Sequence, residues 1–148
     1  MTNDVFLSMK GMQFGINQET GEGEEVEIIT TAKYFKRNES GYLLYDEILE
    51  GIDTPVSNRV KYNNGVIEVT KKGAINVHMV FEEGKQNMTS YYTPYGNLMI
   101  GINTRKVQII ETDELIHLQA DYALDVNYEF LADCQVCMDI RPKDQIKL

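Results

Sequence analysis

Apolar residues recur at every second position along most of this chain, and no stretch of ten residues or more carries the repeat of an amphipathic helix. Successive side chains of a strand point to opposite faces, so this period predicts antiparallel sheet with one buried and one wet face. The segment from Leu115 to Val126 shows it most cleanly. Ile116, Leu118, Ala120, Tyr122, Leu124 and Val126 fall on one face, and His117, Gln119, Asp121 and Asp125 on the other.

The turns then predict how strands pair. The stretch from Gln86 to Ile110 reads as the strongest hairpin: two alternating runs flank Thr93-Pro94-Tyr95-Gly96, where proline presets φ and glycine accepts left-handed geometry. A three-residue loop there sets Tyr92 opposite Leu98, Ser90 opposite Ile100 and Met88 opposite Ile102, all on one inward face. A second hairpin, from Val56 to Lys71, turns at Asn64-Gly65, a type I′ signal. That turn pairs Tyr62 with Ile67 and Val60 with Val69 on one face, and Lys61 with Glu68 on the other. Apolar residues inside and opposite charges outside follow from the same register.

Further runs complete the count. Val5 to Ile16 changes phase at Lys10-Gly11, from Val5, Leu7 and Met9 to Met12, Phe14 and Ile16, which predicts a bulge or bend. Strands are expected over Val26 to Lys36, Tyr42 to Leu49 and Ile75 to Phe81. In the last of these, Ile75, Val77, Met79 and Phe81 point inward. A second phase change falls in Asn103 to Lys106. A loop at Asn127 to Asp133 leads to a strand from Cys134 to Arg141, with a tail from about residue 142. About ten strands with short connections, some of them bent, favour a sheet closed on itself, which removes exposed edges. The predicted fold is all-β, an antiparallel up-and-down barrel of about eight to ten strands, with a two-sheet sandwich as the alternative.

At 148 residues and 17.0 kDa the chain makes one domain, spanning residues 1 to 148. A net charge of -9 argues against a nucleic-acid backbone as partner, and no run of basic residues offsets it. The start, MTNDVFLSMKGMQFG, lacks the basic head and apolar core of a signal peptide, and no run approaches the length of a membrane span, so a cytoplasmic protein is expected. The acidic segment from Glu19 to Glu27 reads as a solvated turn and edge, with a metal ion or cationic partner as the alternative. Cys134-Gln-Val-Cys137 lies in an alternating run. Residues three apart on a strand face opposite ways, roughly 10 Å apart, beyond a disulfide's reach. A single CxxC without a second pair or a nearby histidine is also a weak zinc signal, so both cysteines read as structural.

The run Tyr91-Tyr92-Thr93-Pro94-Tyr95-Gly96, followed by Leu98-Met99-Ile100 and Thr104, resembles the YwiB-like family of small bacterial β-barrel proteins. Tyr45-Asp46-Glu47 and Gly73 upstream, and Asp121-Tyr122-Ala123-Leu124 with Asn127 downstream, extend the likeness over residues 5 to 140. The chain departs from it at Lys71-Lys72, where the family tends to place an arginine before the glycine. The resemblance implies a calycin-like barrel, of the architecture shared with lipocalins, in a family whose function is uncharacterised. Its motifs are fold-forming glycines and tyrosines, and a fold leaves activity open.

No serine elbow, phosphate loop or paired metal-ligand spacing is present, so no catalytic residue, metal or cofactor is assigned. His78 and His117 both fall on wet faces. The polar residues on otherwise apolar inward faces are Tyr45, Tyr92, Tyr122 and Asn58, which either hold a ligand or bond to one another. Asp46 and Glu47 point to opposite sides of their strand, and the pattern leaves open which is buried. Arg105 sits at the predicted bend, where a guanidinium at a barrel mouth would grip a carboxylate or phosphate, or else pair with a surface acid. The candidate ligand set is therefore Tyr45, Glu47, Asn58, Tyr92, Arg105 and Tyr122. Three classes of function follow. The first is a binding module for a small apolar or amphiphilic molecule in the barrel. The second is a filled barrel acting as a homodimer through a face such as Tyr91 and Met99 beside Gly101. The third, ranked last, is a hydrolase-like enzyme with Glu47 or Asp46 as base and Arg105 as anion holder.

Overall fold

The computed structural model describes residues 3–11 and 27–143. Its strands are β1 (Asp4–Lys10), β2 (Glu27–Arg37), β3 (Ser40–Glu47), β4 (Val56–Asn63), β5 (Val66–Lys72), β6 (Val77–Glu82), β7 (Gln86–Thr93), β8 (Gly96–Glu111), β9 (Ile116–Val126) and β10 (Glu129–Pro142). They form one antiparallel sheet in the order β6-β5-β4-β3-β2-β1-β10-β9-β8-β7. The first strand pairs fully with the last, Val5 opposite Pro142 through Lys10 opposite Cys137. The ring is therefore an up-and-down barrel, nearly closed, and its seam falls between β6 and β7. Main-chain bonds tie the seam at one end, and at the other they tie the turn joining β6 to β7 onto β8. Asn76 and Tyr92 exchange N–H···O bonds of 3.0 Å at one end. At the other, Gly84 donates to Thr104 at 2.9 Å and Thr104 to Lys85 at 3.1 Å. Pairing every other edge leaves only this pair of margins exposed to another chain. The sandwich alternative does not apply.

The β4–β5 hairpin has the predicted register: Tyr62 faces Ile67, Val60 faces Val69 and Lys61 faces Glu68. Asn64 and Gly65 take φ of 47° and 76°, the two left-handed positions of a type I′ turn. The β7–β8 hairpin differs from expectation by one residue. Thr93 pairs with Gly96 across a two-residue turn, so Tyr91 faces Leu98, Thr89 faces Ile100 and Asn87 faces Ile102. The Thr93 side chain locks this shorter turn, donating from Oγ1 to the Gly96 carbonyl at 2.7 Å and accepting from the Tyr95 amide at 3.1 Å. One residue of register inverts a strand's faces. Consequently Met88 and Tyr92 lie outside, 40% and 50% exposed, instead of inside.

Gly11 and Arg105 stand at the two predicted phase changes. β1 ends at Gly11, with φ of 80° and its missing Cβ occupying a point 1.9 Å from the Gln135 carbonyl oxygen, so only glycine fits. Met12, Phe14, Ile16 and most of the acidic segment lie outside the described residues. In β8 the register shifts between Thr104 and Lys106, which leaves Arg105 as the extra residue of a bulge. Inward positions run Ile100, Ile102 and Thr104 before it, and Val107 and Ile109 after it. The expected loop at Asn127 to Asp133 is instead a tight turn at Asn127-Tyr128 followed by strand. β10 starts at Glu129 and carries a bulge between Phe130 and Ala132. That bulge scrambles the alternation, and tyrosine stands where a glycine would signal the turn.

The interior is lined by Leu7, Leu43, Ile67, Met79, Ile102 and Leu118 among others, all buried. Each contributes about 1.5–3 kcal/mol relative to an exposed position. Phe81 and Tyr122 meet edge to face, centroids 5.0 Å apart at 61°. Cys134 lies inside opposite Tyr122, and Cys137 lies outside opposite Gln119; neither is in a disulfide.

Candidate functional site

Strand register builds a polar cluster inside one mouth of the barrel, the end that carries the β3–β4, β5–β6, β7–β8 and β9–β10 connections. Tyr45 on β3 lies opposite Asn58 on β4, and Asn58 lies opposite Lys71 on β5. All three share the face of Leu43, Val60 and Val69, so the alternation that fills the core also turns them inward. Glu47 follows two residues after Tyr45 on the same face, and Asp46 is exposed on the outside. This decides the question that the sequence leaves open.

Lys71 Nζ donates to Glu47 Oε1 at 2.9 Å and to Asn58 Oδ1 at 2.7 Å. Asn58 Nδ2 in turn faces Glu47 Oε1 at 3.4 Å and the Val56 carbonyl at 3.2 Å. The Lys71 side chain is only 4% exposed and that of Glu47 15%. An ammonium taken out of water costs several kcal/mol unless it is paired and hydrogen-bonded, and here two acceptors offset that cost. An ammonium has three N–H donors, of which these partners engage two.

Phenols frame the pair. Tyr45 donates to Met9 Sδ at 3.4 Å, a weak acceptor. Burial first, and the Glu47 charge second, push its pKa well above the ordinary phenol range. Half-buried Tyr91 is raised by the same two causes in the same order. The mouth therefore combines a carboxylate, an ammonium, a carboxamide and two neutral phenols. It can offer both charges and hydrogen-bond donors to the polar end of a guest.

Of the residues predicted from sequence, the structure brings together Tyr45, Glu47 and Asn58. Tyr122 is buried in the core beside Phe81 and Cys134, where burial raises the pKa of both the phenol and the thiol. Tyr92 points outward and serves the seam through its main chain. Arg105 points outward from its bulge to Asp133, 2.7 Å away, both side chains largely exposed. It does not share a cleft with Glu47, so a carboxylate base and an anion-holding arginine do not form one site. Lys71 is the residue that sequence reasoning missed. Its signal was present in the alternation Ile67, Val69, Lys71, but a lysine beside a second lysine reads as surface.

Other polar groups are accounted for elsewhere. At the opposite mouth Tyr34 and Tyr62 hydroxyls meet at 3.0 Å and reach Glu111 Oε1 at 3.3 and 3.1 Å, with Lys36 Nζ at 2.6 Å from the same oxygen. Burial opposes charge on Glu111, but Lys36 and the two phenols together hold its carboxyl below the usual range. On the outer wall His117 Nδ1 lies 2.6 Å from Asp139 Oδ1. Ser8 flanks Asp139 on the other side, so the acid separates hydroxyl from imidazole and no nucleophile–base pair results. Among the described residues no group of three or more His, Cys, Asp or Glu side chains is placed to hold a metal ion. No helix among them is long and apolar enough to cross a membrane.

Fold and site together define a ten-stranded antiparallel β-barrel with a charged cluster recessed in one mouth. The family described as Domain of unknown function (DUF1934) matches residues 12–138, and the chain belongs to that family. A curated relative, the Uncharacterized beta-barrel protein YwiB of Bacillus subtilis (strain 168), is 26% identical over 112 residues, 76% of this chain and 78% of that protein. The crystal structure of ywiB protein from Bacillus subtilis is similar at a TM-score of 0.72 and 19% identity, covering 93% of this chain and 89% of that one. The YwiB-like resemblance carried by Tyr91 to Gly96 therefore holds, and the shared fold is a β-barrel.

Proposed function

We propose that this protein is a binding module that takes one small amphiphilic molecule at the mouth holding Lys71. Its polar end meets Lys71, Glu47 and Asn58, and its apolar part lies against the inner wall formed by Met9 and the rings of Tyr45 and Tyr91. One observation carries this reading: an ammonium buried to 4% exposure in a barrel whose interior is otherwise largely apolar. A buried ion pair contributes little net stability compared with apolar residues of the same volume, so its presence at a mouth favours a role in recognition. Native mass spectrometry of protein purified from the organism that makes it tests this. The expected result is an added mass that leaves on denaturation and falls at least tenfold in occupancy for Lys71→Met. Bare protein alone, or equal occupancy in the variant, overturns it.

Homodimerisation is a second reading, favoured by Tyr95, Tyr128 and Phe130, which are 89%, 78% and 63% exposed on neighbouring hairpin tips at the same mouth. The face suggested by sequence is interrupted, because Tyr91 turns inward and the Met88 sulfur covers Gly101. Sedimentation at low micromolar concentration distinguishes the two readings, since only the second requires a dimer.

A further inference from the structure

On the outer wall, on the reverse side of the strands that carry the mouth cluster, the β4–β5 register assembles a small square of side chains. Ser57 lies opposite Lys72, and Arg59 lies opposite Thr70. The two cations thus sit on one diagonal, with Cα atoms roughly 7–8 Å apart. Both are exposed. Among the described residues neither has a carboxylate within ion-pair distance, although the chain carries 23 acidic residues and a net charge of -9. Lys61, the next outward residue after Arg59, faces Glu68 across the strands and rests over the Tyr42 ring, 5.8 Å from its centroid. In a molecule this acidic, two neighbouring cations outside any ion pair make the local potential less negative than on the surrounding surface.

These side chains border a shallow groove of about 290 Å³ whose outward-facing lining includes Leu44, Asp46, Ser57, Arg59, Thr70 and Lys72, with Tyr45 and Asn58 of the mouth cluster also bordering it. Arg59 and Lys72 supply the charge and Ser57 a hydroxyl, the donors that an oxyanion takes up. Thr70 is engaged with His78 Nδ1 at 2.9 Å. Asp46 faces Ser57 directly from β3, on the side of Ser57 away from Lys72. It repels a bare anion brought close but accepts a hydrogen bond from a hydroxyl. Leu44, 39% exposed, gives an apolar floor between the two ends.

We infer that this groove is a binding site for the phosphate ester of a polyol, with the phosphate between Arg59, Lys72 and Ser57 and a ligand hydroxyl on Asp46. The chemistry is shared by soluble polyol phosphates and by the head group of a glycerophospholipid. Titration of the full chain with glycerol 3-phosphate, followed by amide NMR shifts, reads the site directly. A parallel arm measures co-sedimentation with phosphatidylglycerol vesicles against phosphatidylcholine vesicles.

The expected result is saturable shifts centred on residues 57, 59, 70 and 72, with affinity at least tenfold weaker in the Arg59→Gln/Lys72→Gln double variant. Binding to phosphatidylglycerol vesicles alone, lost in the same variant, assigns the head group as the source; saturation by glycerol 3-phosphate without co-sedimentation assigns the soluble ester. No saturable response in either arm, or an unchanged affinity in the double variant, overturns the site. Lys71→Met leaves this response intact, which separates it from the interior reading.

Discussion

Lys71 concentrates the physical chemistry of the interior in one side chain. Removing the ammonium while keeping its volume leaves Glu47 in the mouth without its counter-charge. Breaking one half of a buried pair costs more than replacing both halves. Lys71→Met is expected to lower stability by about 2–4 kcal/mol, and Lys71→Met/Glu47→Leu to recover at least half of that loss. Urea denaturation at pH 7 measures both. A single variant within about 0.5 kcal/mol of the parent shows that the pair contributes through water and not through the protein interior. At this scale the sequence identifies Tyr45, Asn58 and Glu47 as candidates because each sits on an apolar phase. It misleads for Tyr92, where the phase itself is miscounted, and for Arg105, whose partner Asp133 comes from a strand start that reads as loop.

Between elements, register decides everything. The β4–β5 hairpin was legible because asparagine and glycine prescribe a two-residue turn, and its two faces then check each other. The β7–β8 hairpin was not, because Pro94-Tyr95 permits more than one loop length, and the deciding bonds come from the Thr93 hydroxyl. Cross-strand pairs also carry the pH response. His117 on β9 meets Asp139 on β10. Burial works against the imidazolium, but the hydrogen bonds to Asp139 and Gln119 and the Asp139 charge together outweigh it, so its pKa lies above the ordinary imidazole range. The folded state therefore binds the proton more tightly than the unfolded chain. This stabilisation is complete below the unfolded pKa and is lost as pH rises through the folded one. Thermal unfolding is expected to show stability declining as pH rises above the ordinary imidazole pKa of about 6.5, a decline that the Asp139→Asn variant lacks. An unchanged pH profile in that variant refutes the assignment.

For the molecule as a whole, closure from β1 to β10 places the weak point at the β6–β7 seam. Every other neighbouring pair has a ladder along its length, interrupted by the bulges at Arg105 and between Phe130 and Ala132. By contrast β6 and β7, joined by their turn, share among the described residues the Asn76–Tyr92 exchange, and the turn itself is tied to Thr104 on β8. Local opening should start where main-chain bonds are fewest. Hydrogen exchange is expected to protect the amides of β6 that face the seam least, and those of β9 and β10 most. Equal protection around the ring means that the seam is as firmly closed as the ladders.

The alternation of apolar residues determined that this chain is an antiparallel sheet, and its turn residues and bent strands determined that the sheet curls shut. Those properties are local, set by the period of two and by backbone conformations that few residues accept. The tertiary structure decided which charges meet: Lys71 with Glu47 inside, Arg59 beside Lys72 outside, Arg105 with Asp133. Such meetings depend on register between strands distant in sequence, and one residue of slippage, invisible to composition, exchanges the inside of the barrel for its surface.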